Sequence, residues 1–90
     1  MFSFNISDNL KIKIRKLVKR DKKKVDIVNK KIKEIINSTK ESIDHYKNLK
    51  YDFSDRKRVH IDNNFVLTFK VDKNKEHVIF LDLDHHDNIY

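Results

Sequence analysis

The sequence predicts an α+β fold of order β-α-α-β-β-β, a helical hairpin packed on a mainly antiparallel sheet. Three observations carry that reading. Two long stretches in the first half repeat apolar residues at helical spacing. Three stretches in the second half alternate apolar and polar residues, divided by short polar turns. A short alternating stretch precedes the helices, so one strand comes first.

The opening strand is Met1-Phe2-Ser3-Phe4-Asn5-Ile6, with Phe2, Phe4 and Ile6 on one side. Ser7 or Asp8 can cap the helix that follows, because a short polar side chain can accept a free first-turn N–H. Leu10, Ile14, Leu17 and Val18 form its apolar face. A basic cluster interrupts the pattern near Arg20 and Asp21, where the hairpin turns. Val25, Val28, Ile32, Ile35 and Ile36 mark the second helix, and Asn37-Ser38-Thr39 ends it. Between residues 40 and 55, Ile43, Tyr46 and Leu49 fit either one further helical turn or an ordered loop. The second strand covers Arg56–Ile61, with Val59 and Ile61 inward. Asp62-Asn63-Asn64 is a hairpin turn. Phe65–Val71 places Phe65, Leu67, Phe69 and Val71 on one face. Asp72-Lys73-Asn74-Lys75 turns the chain again. In His77–Asp84, strict alternation puts Ile79, Leu81 and Leu83 on the helix side. The other face of the sheet then shows Arg56, Arg58, His60, Thr68, Lys70, Asp82 and Asp84, with His86 continuing that parity. A face of cations and imidazoles suits a phosphate backbone.

The 90 residues, read as one domain spanning 1–90, suffice for a single core. Lys plus Arg number 21 against 14 Asp plus Glu, a net charge of +7, which favours a polyanionic partner. The competing explanations are a merely solubilising surface or AT-rich coding. Cysteine is absent, which excludes disulfides, a thiolate nucleophile and cysteine-bound zinc, and fits a reducing cytosol. Glycine is absent too, which removes glycine-rich phosphate-binding loops. Nothing reads as a signal peptide or a spanning helix, so no membrane role is expected.

Four segments carry a resemblance: His45-Tyr46-Lys47-Asn48-Leu49-Lys50, Arg58-Val59-His60-Ile61, Phe65-Val66-Leu67-Thr68-Phe69-Lys70-Val71 and His85-His86-Asp87-Asn88-Ile89-Tyr90. In that order the chain resembles the RelE/ParE superfamily of toxins from toxin–antitoxin systems, nearest its archaeal RelE-like branch, with a histidine site similar to that of YafQ toxins. The resemblance implies a cytoplasmic, ribosome-dependent mRNA endonuclease neutralised by a cognate acidic antitoxin. It matches His60 and His86 to catalytic histidines and Tyr90 to a terminal aromatic residue needed by many members. Lys47, Lys50, Arg56 and Arg58 match basic substrate-gripping positions, and Lys70 joins them on the same face. The chain departs from many members in three places. The strand beginning at Phe65 lacks their arginine, His85 or His86 stands where an arginine precedes the tail, and the usual hairpin glycine is missing. These departures favour a histidine-driven over an arginine-driven mechanism.

RNA carries its own nucleophile, the 2′-OH. Cleavage needs a base, an acid for the leaving 5′-oxygen, and cations for the charge growing on phosphorus. His60 and His86 are the candidate base and acid in either order, because imidazole exchanges protons near neutrality. Arg58 and Lys50 would stabilise the phosphorane, Tyr90 would stack on a base or bond a phosphate, and Asp84 would orient a histidine. No cofactor or metal is called for. Asp82, Asp84, His85, His86 and Asp87 do offer metal-ligand atoms, but adjacent histidines on an extended segment point opposite ways. Two rival functions stay open: ParE-like inhibition of DNA gyrase, and a non-catalytic RNA-binding homologue. The bland readings are a surface His60, a flanking His85 and a packing Tyr90.

Overall fold

The helical hairpin forms where the apolar spacing places it. In the computed structural model, residues 1–49 and 55–89 are described, except for the Ile89 side chain. Strand β1 covers Ser3–Ile6, helix α1 Asp8–Arg20 and helix α2 Lys22–Ile36. Ser7 caps α1, its Oγ accepting the N–H of Leu10. Asp21 does double duty in a chain without glycine: its N–H donates to the Leu17 carbonyl at 2.7 Å, closing α1, while its carboxylate accepts the Lys24 N–H, opening α2. All five apolar residues assigned to the inner face of α2 are buried. On α1, Leu10 is buried and Ile14 and Leu17 pack on the core, but Val18 is half-exposed. Its position, at the last turn of α1, lies off the contact line with the sheet.

Of the stretch read as a helical turn or an ordered loop, residues 40–49 and 55 lie among the described residues: a 3-10 turn runs from Ser42 to His45, and Ile43 is fully buried beneath it. Asn48 pairs with Lys57 in an isolated antiparallel bridge, so the chain here adds a short edge to the sheet. Strands β2 (Lys57–His60), β3 (Phe65–Asp72) and β4 (His77–His85) follow, and a one-turn helix α3 (His86–Ile89) ends the described chain. The sheet order is β1-β4-β3-β2, with β1 parallel to β4 and the other pairs antiparallel. Without a glycine, the β3–β4 turn bends through Glu76 at φ 50°, in the left-handed region that a side chain makes costly.

One register detail corrects the strict alternation expected for β4. Thr68 pairs with Asp82, but Phe69 pairs with Phe80, so Leu81 is an extra, bulged residue. The bulge reverses parity below it. Val78 and Phe80, not Ile79, face the helices and are fully buried with Leu10, Val28, Ile35 and Phe69, while Ile79 is 38% exposed on the far side. Above the bulge, Leu83 faces the core and Asp82 and Asp84 face away, as expected. Ser7 stabilises this defect: its Oγ donates to the Leu81 carbonyl at 2.6 Å and its N–H to the Phe80 carbonyl.

Parity yields a direct stability test. Phe80→Ala should cost about 3–5 kcal/mol, the usual loss for an aromatic core truncation. Ile79→Ala should cost at most about 0.5 kcal/mol, as at most surface positions. Urea unfolding of both variants checks this; equal losses, or a larger one at Ile79, would contradict the bulge.

Candidate functional site

Two rows of side chains cross the sheet face turned away from the helices. In the first, Arg58 of β2, Thr68 of β3 and Asp82 of β4 stand abreast. In the second, His60, Val66 and Asp84 do. The added edge extends the first row: the Arg58 N–H donates to the Lys47 carbonyl at 2.9 Å, which places Lys47 beside Arg58. This face is not open throughout. Val66 is fully buried and Thr68 nearly so, and the Nε atoms of Arg56 and Arg58 are shielded from solvent. Helix α3 lies against β3 and β4.

The two rows join β2 cations to β4 carboxylates only across the full width of β3. Two strand spacings separate them by about 10 Å, so Asp84 does not orient His60. Asp84 accepts instead from the His85 backbone N–H at 2.8 Å and from Asn88 Nδ2 at 3.1 Å. Lys13 reaches from α1 over the edge that β1 leaves unpaired, with Nζ 2.7 Å from Asp82 and 3.6 Å from Asp84. Burial pushes the Asp84 carboxyl upward, but Asn88, the His85 N–H and Lys13 outweigh it and hold the group below the ordinary range. Burial likewise disfavours the Lys13 ammonium, yet its bonds to the two aspartates raise it above the ordinary lysine value.

His60 and His86 come to the same end of the sheet. β2 runs toward the turn at Asp62–Asn64 and β4 returns to it. Asp62 builds that turn by accepting the Asn64 and Phe65 N–H groups at 2.8 and 2.9 Å. Lys24 locks it from α2, with Nζ 3.3 Å from Asp62 and 3.8 Å above the Phe65 ring. The His86 N–H donates to the Asn64 carbonyl at 2.7 Å, which fastens the tail to the same turn. His60 is exposed and His86 half-buried. The histidine partner in this structure is Asp87, which the sequence reading assigned to no proton role: Oδ1 lies 2.7 Å from His86 Nδ1 and Oδ2 3.4 Å from His85 Nδ1. A carboxylate on Nδ1 fixes the tautomer and leaves Nε2 to exchange a proton. Asp87 directly follows the histidine pair, which was the only signal for it.

The remaining assigned residues divide. Lys47 is exposed, Arg56 half-buried. Lys70 pairs with Asp55 at 2.9 Å, which holds the Asp55 carboxyl low, and Arg56 Nε lies 4.0 Å from the same group. Lys50 and Tyr90 lie outside the described residues. Lys57, unremarked in the sequence, turns to the helix side: it donates to the Tyr46 carbonyl and to Asn48 Oδ1, fixing the added edge.

Sequence comparison decides the family. Over its whole length this chain is 50% identical to the candidate toxin RelE4 of Methanocaldococcus jannaschii, covering 92% of that protein. The chain belongs to the RelE family of toxins. No family model matches it. Solved structures share the fold of this RelE-family toxin at low identity. A metal-bound toxin from Helicobacter pylori matches with TM-score 0.77 and 18% identity over all of both chains. The toxin–antitoxin heterotetramer YoeB–YefM from Staphylococcus aureus contains a chain matching with TM-score 0.74 and 22% identity, over 96% of this chain and 98% of that one. In the RelE-family chain described here, no helix among the described residues is long and apolar enough to cross a membrane.

The Lys13 cluster predicts a titration. Asp84 has a folded pKa below its unfolded value, near 3.9. Its contribution to stability is therefore present above that value and lost as pH falls through the folded pKa. Lys13→Met should raise the Asp84 midpoint partway, since Asn88 and the His85 N–H remain. Carboxyl carbon shifts followed by NMR against pH check this; an unmoved midpoint would show that Lys13 does not act on Asp84.

Proposed function

We propose that this RelE-family toxin is an mRNA interferase, a ribosome-dependent endoribonuclease that stops translation by metal-independent acid/base cleavage. The observation that supports the reading is that His60 and His86 lie at the same end of the sheet, with Lys47 and Arg58 in the adjoining row. His60 and His86 serve as base and acid in either order. Asp87 keeps His86 in the tautomer that presents Nε2. Arg58, with Lys50, stabilises charge on the phosphorane, and Tyr90 stacks on a base. Lys47, Arg56 and Lys70 hold the RNA backbone, Lys70 after exchanging Asp55 for phosphate. That exchange is cheap, because the exposed ion pair contributes little to stability. The working place is the cytoplasm, with ribosomes and mRNA.

His60→Ala and His86→Ala should each slow cleavage of ribosome-bound mRNA by roughly 10²–10⁴-fold, the usual weight of a general acid or base. Primer extension measures it, with circular dichroism to confirm folding. Wild-type rates in both folded variants would sink the assignment. Arrest of DNA synthesis ahead of translation after induction would instead support gyrase inhibition.

The partner is an acidic antitoxin. Ile12 and Val18 on α1 and Ile27 on α2 stand exposed among lysines, a surface suited to an amphipathic segment with acidic flanks. Association should therefore slow steeply with added salt while dissociation changes little. Stopped-flow binding to the product of the adjacent gene, across ionic strengths, tests this; an association rate flat with salt would remove the electrostatic argument.

A further inference from the structure

The objection to a metal at the tail was that neighbouring residues on a strand point to opposite faces. The fold removes it. β4 ends at His85 and α3 begins at His86, so the backbone changes conformation between the two histidines. Their ring centroids come within 5.0 Å of each other. Asp87 brings its carboxylate between them, and one ligand atom from each of the three residues lies within 4.8 Å of the others.

We propose that His85, His86 and Asp87 form a binding site for a single divalent transition-metal ion of the Zn²⁺ type. Two imidazoles and one carboxylate are donors for zinc, nickel or copper, whereas Mg²⁺ and Ca²⁺ prefer all-oxygen sites. The spacing fits. Zinc bonds of about 2.0–2.1 Å place tetrahedral ligands about 3.3–3.4 Å apart, and His85 Nδ1 to Asp87 Oδ2 is 3.4 Å. His86 Nδ1 and Asp87 Oδ1, at 2.7 Å, are hydrogen-bonded and must separate slightly. The exposed Asp87 side chain has room to do so. His85 also gives up the weak bond it accepts from the Asp87 N–H at 3.3 Å.

The surroundings hold the ligands in place before any ion arrives. Phe65 packs edge-on against His85, with centroids 5.8 Å apart. The Asn64 carbonyl pins the His86 backbone, and Asp84 caps the His85 N–H while Asn88 ties α3 back to Asp84. Three protein ligands leave a coordination position to water, the pattern of an open rather than a closed structural site. An ion here occupies a lone pair of His86, so it would inhibit a cleavage that depends on that imidazole. This consequence rests on the nuclease reading; the site itself does not.

Titration calorimetry of Zn²⁺ into the whole chain at neutral pH tests the site. We expect one ion per chain, undisturbed by excess Mg²⁺. His85→Ala and Asp87→Asn should each weaken binding by more than about tenfold, since loss of even an outer-shell partner commonly costs 10–100-fold. His60→Ala should bind as the wild type does. Imidazole NMR signals of the unmodified chain give a reading independent of any variant: Zn²⁺ should shift those of His85 and His86 and leave His60 and His77 in place. Absence of binding, unchanged affinity in both folded variants, or shifts centred on other histidines would overturn the site. Cleavage is read separately, where Zn²⁺ should slow the wild type and spare His85→Ala. Equal inhibition of the two, with binding confirmed, would overturn the inhibitory role and leave the site standing.

Discussion

The extra residue at Leu81 is the constraint on which the rest of the sheet depends. β4 is flanked on both sides over its first half, by β1 and β3. It must therefore send Val78 and Phe80 into the core and still present Asp82 and Asp84 on the opposite face. All four positions have even numbers, so an unbroken strand would place them on one face. Inserting Leu81 shifts the phase by one and reconciles the two demands. The cost is a backbone carbonyl left outside the ladder, and Ser7 answers it while capping α1. One hydroxyl therefore fixes the start of the first helix, the phase of the central strand and the depth at which Phe80 is buried.

Charge is organised around the same irregularity. The edge of β4 beyond Phe80 has no strand neighbour because β1 ends at Ile6. α1 runs along that gap, and Asn9 and Lys13 meet the outward carboxylate of Asp82 there. Asp82 and Asp84 are thus held by α1 and α3 and stand apart from the basic residues of β2. Arg58 and Lys47 stand across the sheet from the aspartates, about two strand spacings away, so a phosphate proposed to bind there would be clear of their negative charge. At the far end, Asp62, Lys24, Phe65, Asn64 and His86 tie a turn, a helix start and the tail together. The mutual position of His60 and His86 depends on that knot.

Much of this was legible in the residues. The apolar period of α2 was unambiguous because five large side chains fall on one line with lysines elsewhere. Strands β2 and β3 alternate cleanly, so Arg58 and His60 were placed on the right face. β4 was misread at one residue, and its sequence explains why: Val78-Ile79-Phe80-Leu81 is apolar throughout, so no polar residue marks where the phase changes. Val18 misled because it sits at the rim of the apolar face: Leu17, one residue earlier at the same level of α1, packs on the core while Val18 does not. Asp87 and Lys13 escaped because their roles come from tertiary neighbours. The turn between His85 and His86 escaped because strand alternation was carried one residue too far.

The lysine load of the hairpin shows how far local rules were bent. Lys19 and Arg20 at the end of α1 suit its negative pole. Lys22, Lys23 and Lys24 open α2, where the helix dipole is positive and no acidic residue of the first turn opposes them. Asp21 at the cap and Asp26 one turn on offset part of that charge, and Lys24 also lies back toward Asp62 and Phe65. Lys22 and Lys23 remain exposed beside Lys19 and Arg20. Coding bias could supply lysines anywhere, but it does not account for their meeting exposed Val18 at the same end of the hairpin. Repulsion of like charges works against the free chain, and an apolar side chain left in water gains nothing for it. The proposed docking of an acidic segment with an apolar stripe would correct both deficits in one event, which is the physical support for reading this surface as half of an interface.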